Sequence, residues 1–148
     1  MPRRFLATVV TLPLLFLLVT MAPTHAKPGV GPCDLTAKSG ETVAHLMRRR
    51  ITCSVDRFGP VGGGAARAIC IAKRESGLDP TAKSATGEYL GLFQQSSKMW
   101  PDRYKAWTRA TWELSAKAKN GRSNAIVTIR MVHAAGGWKN AGWGVKGC

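Results

Sequence analysis

The chain has 148 residues, with 22 lysines and arginines against 8 aspartates and glutamates, a formal charge of +14. That length holds one domain and a leader, and the excess of base turns it towards polyanionic surfaces. Four cysteines, none in a C-x-x-C or Cys/His spacing, argue against a structural zinc site.

Arg3 and Arg4 precede a nearly unbroken apolar run over 5–19, which Pro13 interrupts, and small residues close the stretch at Ala26. A spanning helix needs about 20 apolar residues, so residues 1–26 read as a secretory signal peptide cleaved after Ala26. Residues 27–148 are then a single domain, exported to the extracellular space or the cell wall, with no membrane contact after cleavage. All four cysteines, Cys33, Cys53, Cys70 and Cys148, lie in that part. In an oxidising compartment they make two disulfides. Three pairings are open, and the preferred one is Cys33–Cys53 with Cys70–Cys148.

Residues 42–51 place Val43, Leu46, Met47 and Ile51 at helical spacing. "GPVGGG" over 59–64 is a connection; it lacks the lysine and hydroxyl of a phosphate loop. Residues 65–76 form a second helix, stopped by Gly77 and Pro80. Residues 83–94, with Gly87, Tyr89 and Gly91, make a small hairpin or tight loop pair. A short capped helix and a proline-started one follow over 96–107. Residues 111–119 read as helix, 119–123 as a break and 124–135 as the last helix. The tail is glycine- and tryptophan-rich and irregular. The fold class expected is α+β, predominantly helical, with a small β-hairpin element.

One acid stands out in "IAKRESGLDPTAKSATGEYLGLFQQS", residues 71–96. At about 100° per residue, Glu75 falls among Ala68, Ile71 and Ala72, on the apolar face, while Lys73 and Arg74 turn away. Burial and the negative end of the helix dipole both favour a protonated carboxyl there, as a general acid requires. The competing reading is a surface ion pair with the adjacent cations.

The pattern Glu75-Ser76, Pro80, Ala82, Ser84, Gly87 and Gly91-Leu92-Phe93-Gln94 resembles the lysozyme-like superfamily, in particular its soluble lytic transglycosylase-like (SLT) domains. The likeness is strong over 65–100, weaker over 124–137 and absent from the first third. It implies a lysozyme-like fold with the hairpin beside an active-site cleft. It also implies cleavage of the β-1,4 bond between N-acetylmuramic acid (MurNAc) and N-acetylglucosamine (GlcNAc) in peptidoglycan. Glu75 would be the catalytic acid and then base. Ser76 would orient it, Gly91 would admit the sugar, and Gln94 would bond an N-acetyl or backbone group. No metal or cofactor is called for. The partners are peptidoglycan glycan strands and other anionic wall polymers, met by a monomer.

Two departures qualify the transfer. The late helix carries "MVHAAGG" over 131–137 where such domains have Ala-Tyr-Asn-x-Gly. His133, Tyr89 or Tyr104 is left to take the tyrosine's part, and a structural histidine is the plainer reading. Glycoside hydrolysis ordinarily takes two carboxylates, and of Asp79, Glu88 and Asp102 the best second acid is Glu88, in the loop before Gly91. A lytic transglycosylase needs only one, because the muramic C6 hydroxyl is already tethered beside the bond. A single clear carboxylate therefore favours transglycosylase over muramidase. Trp107 and Trp112 read as packing, Trp100 is open, and Trp138 and Trp143 are candidates for a cleft wall that Cys148 would pin to the Glu75 helix. Two other classes remain open, a non-catalytic cationic wall-binding protein and a basic nucleic-acid or membrane-active one. The last has neither a nucleic-acid motif nor a strongly amphipathic basic helix.

Overall fold

The computed structural model describes residues 31–144 and 146–148, so the leader lies outside the described residues. Helix α1, Val43–Phe58, begins where the Thr42 side chain accepts the His45 backbone N–H and ends at Gly59, with φ 113°. It runs past Ile51, to which its apolar pattern extends, because Ser54 returns its hydroxyl to the Arg50 carbonyl at 2.8 Å and so can be buried inside the helix. Leu46, Met47, Ile51 and Val55 face the core, whereas Val43, in the first turn, is 58% exposed. A disulfide from Cys53 ties the helix to Cys33.

Helix α2, Gly64–Ser76, packs Ala68, Ile71 and Ala72 inward and stops at Gly77, whose left-handed backbone lets its N–H reach the Ala72 and Lys73 carbonyls. The second disulfide joins Cys70 of this helix to Cys148, the preferred pairing. Arg67 Nε donates to the Cys148 carbonyl at 3.1 Å and Arg74 to the Lys146 carbonyl, so the tail is strapped along α2 by side chains as well.

Strands β1, Tyr89–Leu90, and β2, Gln95–Ser96, pair antiparallel with Tyr89 opposite Ser96 and Leu90 opposite Gln95. The hairpin's second strand thus follows Gln94 rather than preceding it. Helix α3, Trp100–Trp107, starts on Pro101; the separate short helix expected before it is a turn.

The helix expected over 111–119 does not form. A single 3-10 turn, Ala110–Trp112, is broken by Glu113 in the left-handed region, and 113–119 is irregular. The reason lies in its carbonyls. Tyr104 Oη donates to Leu114, Ser123 Oγ to Ser115, Trp100 Nε1 to Ala116 and Asn124 Nδ2 to Ala118. With these acceptors satisfied from α3 and from the last helix, the helical alternative loses its advantage.

That last helix, α4, Gly121–Ala134, starts inside the expected break, because Asn120 caps it by accepting the Ser123 N–H at 3.0 Å. It packs against α1 and α3, and every residue from Gly121 to Ile129 is buried. Its polar members are all engaged: Arg122 with the Pro32 carbonyl and with Asp34 at 3.1 Å, Ser123 and Asn124 as above, and Thr128 with Gln95. Four helices and one two-stranded sheet make the fold α+β and predominantly helical among the described residues. No helix there is long and apolar enough to cross a membrane.

Candidate active site

Glu75 lies in the last turn of α2, half-buried, on the face that carries Ala68, Ile71 and Ala72. No hydrogen-bond donor or cation among the described residues meets its carboxylate, which borders a cleft of about 570 Å³. Burial pushes its pKa above the ordinary value, and the field of Arg74 offsets part of that rise. Arg74 is therefore felt by Glu75 without pairing with it; its own guanidinium is turned to the tail. The helix dipole acts in the same direction as burial, since its negative end is here.

Facing Glu75 is the loop that joins β1 to β2. Ser76 Oγ donates to the Leu92 carbonyl at 2.7 Å, with the Ala72 carbonyl at 3.1 Å as a second acceptor, which fixes the loop to the end of α2. The Phe93 N–H donates to Asn124 Oδ1 at 2.9 Å, while Asn124 Nδ2 reaches the Ala118 carbonyl at 2.8 Å and the Leu90 carbonyl at 3.3 Å. Directly after these anchors Gln94 adopts a φ of 48°, a strained value for a residue with a Cβ and one typical of sites held by their surroundings. Its Nε2 donates to the Gly91 carbonyl at 2.9 Å. The amide oxygen meets no donor among the described residues.

Glu75, Glu88, Tyr89 and Gln94 line this one cleft together. Three other residues expected in the site do not. Ser76 acts on the loop, through Leu92, and is absent from the lining. Gly91 is buried, and a Cβ on it would meet the Ala118 carbonyl oxygen at 2.3 Å, so its missing side chain serves the approach of 113–119 rather than of a sugar. Trp138 is 2% exposed, stacks on Phe93 with ring centroids 5.9 Å apart and donates Nε1 to the Gly62 carbonyl; it is core, because the turns after α4 carry it inward.

Trp143 is the tryptophan that borders the cleft. It is held edge-on to Trp138 at 6.1 Å and by Nε1 donation to the Phe93 carbonyl at 3.0 Å. Its neighbours Ala141, Gly142 and Gly144 complete that wall. Trp100 is buried. Of the residues expected to take a positioning tyrosine's part, His133 bonds the Pro60 carbonyl at 3.0 Å and Tyr104 the Leu114 carbonyl, and neither lines the cleft. Tyr89 does. Asp79 accepts from the Thr81 N–H and hydroxyl in a turn, and Asp102 sits in the first turn of α3, as their prolines imply.

Sequence reading missed Ser96, Met99 and Arg103, which also line the cleft. Their signal was weak. Met99 and Arg103 flank Trp100 in a stretch that reads as an ordinary amphipathic helix start. Among the described residues the large exposed hydrophobics are Val43, Tyr89 and Met99, and the last two are in this cleft. The arrangement brings together a carboxyl of raised pKa, a second acidic side chain, an amide oxygen without a donor and apolar side chains exposed to the cleft. Comparison with family models, with curated proteins and with solved structures returned no match.

Proposed function

We propose that the protein is a secreted, monomeric glycosidase of lysozyme-like fold that cleaves peptidoglycan between MurNAc and GlcNAc as a lytic transglycosylase. The observation that carries the reading is Glu75: half-buried, unpaired, raised in pKa by burial and opening onto a cleft. A protonated Glu75 gives its proton to the glycosidic oxygen as the bond to the muramic C1 breaks. The C6 hydroxyl of the same muramic residue attacks C1, and the Glu75 carboxylate takes the hydroxyl proton. The products are a free GlcNAc 4-hydroxyl and a 1,6-anhydromuramic end, and Glu75 is again protonated. Tyr89 and Met99 supply apolar contact for the sugar faces, and Gln94 accepts from an N-acetyl N–H or a hydroxyl.

Glu88 in the same cleft favours a second reading, a muramidase in which Glu88 activates water and the product carries a reducing end. Purified peptidoglycan incubated with the protein and analysed by mass spectrometry separates the two. Anhydro ends released by the protein and not by Glu75→Gln support the proposal. Reducing ends turn it to the muramidase. Strands that bind but are not cut leave a wall-binding protein, and full activity of Glu75→Gln removes the proposal altogether.

A further inference from the structure

The cleft holds a cation that the acid chemistry of Glu75 does not use. Arg103 projects from α3 into the cleft wall and is half-buried. The ion pairs among the described residues join Glu41 to His45 and Arg49, and Asp34 to Arg122; none takes in Arg103, although Glu75 and Glu88 border the same space. Burial lowers its pKa, with no carboxylate field to offset the effect.

The guanidinium is nevertheless held. Nη1 donates to Gln95 Oε1 at 2.6 Å, and Nη2 lies 3.5 Å from the Met99 sulfur, a weak acceptor. Gln95 is fully buried, and its Nε2 donates to the Thr128 hydroxyl at 2.7 Å, itself fully buried on α4. Because a guanidinium has only donors, this fixes the Gln95 amide with its oxygen towards the arginine. The basic residues scattered over the rest of the sequence fit general adhesion, which asks nothing of the interior. A cation drawn partly out of water and anchored through two buried side chains is costly unless something anionic completes it. Its planar fork matches a carboxylate in particular.

We infer that Arg103, positioned by Gln95 and Thr128, forms a carboxylate-binding subsite of the cleft, so that the protein selects glycan strands bearing carboxylates over neutral strands. The inference rests on the glycan-cleaving function proposed above. Such strands offer the group from two sources, the lactyl acid of an unsubstituted muramic residue and the carboxylates of the stem peptide.

Calorimetric binding to Glu75→Gln protein, which does not turn strands over on that reading, tests it with three ligands. These are strands with stem peptides, strands stripped of peptides by an amidase, and N-acetylglucosamine oligomers of equal length. The subsite predicts tighter binding of a carboxylate-bearing strand than of the neutral oligomer. Adding Arg103→Gln should weaken that strand's binding by about 10- to 100-fold, the range for a charge-assisted hydrogen bond. Neutral oligomer affinity should change less than about twofold on the same scale. Arg103→Lys should fall between, since it keeps charge and loses the fork. Which carboxylated strand responds identifies the source. A loss shared equally with the neutral oligomer marks Arg103 as merely structural and overturns the subsite, as does no loss at all. In both cases strand binding, and with it the glycan reading, stands. If none of the three ligands binds, the glycan reading fails and the subsite falls with it.

Discussion

Replacing Asn124 by alanine probes how the site is held. Three hydrogen bonds converge on this fully buried side chain, from the Phe93 N–H and to the Ala118 and Leu90 carbonyls. Each contributes about 1 kcal/mol net, and a buried group left unpaired costs a further 1–3 kcal/mol. Asn124→Ala should therefore cost about 4–6 kcal/mol, a fall in Tm of roughly 12–24 °C at about 3–4 °C per kcal/mol for a domain of this size. Urea and thermal unfolding followed by far-UV circular dichroism measure it. Peptidoglycan cleavage, assayed well below the new Tm, should drop as well, because the loop that carries Gln94 loses its anchor. Asn124→Asp keeps the acceptor for Phe93 but loses both donors once ionised. Its buried carboxyl, facing two carbonyl oxygens, would have a raised folded pKa, so this variant should lose stability as pH rises. A fall in Tm of under about 3 °C for Asn124→Ala, less than one net hydrogen bond on the same scales, would refute the claim that this side chain holds the loop.

The raised pKa of Glu75 fixes the sign of two pH effects. In the general-acid role proposed for it Glu75 must be protonated, so kcat should be sustained below its raised value and fall above it, and Glu75→Gln should lower cleavage by at least about 100-fold. The folded state holds the proton to higher pH than the unfolded one, so wild-type stability relative to Glu75→Gln should decline as pH rises from the ordinary glutamate value through the raised one; matched thermal scans across that window check it. Removing the Cys70–Cys148 bridge by paired serine substitution should cost about 2–4 kcal/mol, and should shift Trp143 emission to longer wavelength as the cleft wall at 141–144 loosens. Gly91→Ala, at φ 77° and with Ala118 in the way, should destabilise by at least about 2 kcal/mol whatever the ligand; a variant of normal stability that lost only sugar binding would return Gly91 to the cleft.

Glu75 was legible in the sequence because a helix has a fixed period: four positions decide which face it shares, and Gly77 marks where the helix ends. Pro101 was legible for the same kind of reason, acting within its own turn. The pairing of Cys70 with Cys148 was one of three possibilities, and the long-range partner had to come from the fold. Residues 113–119 were misread because their helix-forming side chains are local, whereas the donors that satisfy their carbonyls come from Trp100, Tyr104, Ser123 and Asn124. Gly91 and Trp138 were placed in the cleft on the likeness to a family and on the lack of a nearby helix. What decides their places is who stands opposite, Ala118 in one case and Phe93 in the other. Arg103 went unnoticed for a related reason. Nothing adjacent to it in sequence announces the amide of Gln95.

The segment after the 3-10 turn has one more consequence. Its path is set through main-chain oxygens that other elements grip, so most of its own side chains carry no structural information. Glu113, Ala116, Lys117 and Lys119 are exposed, and Ala118 is the buried exception. Such a stretch can drift in sequence, or accept deliberate change, while the backbone beneath the cleft loop keeps its course. It is a tolerant strip laid directly against an intolerant one.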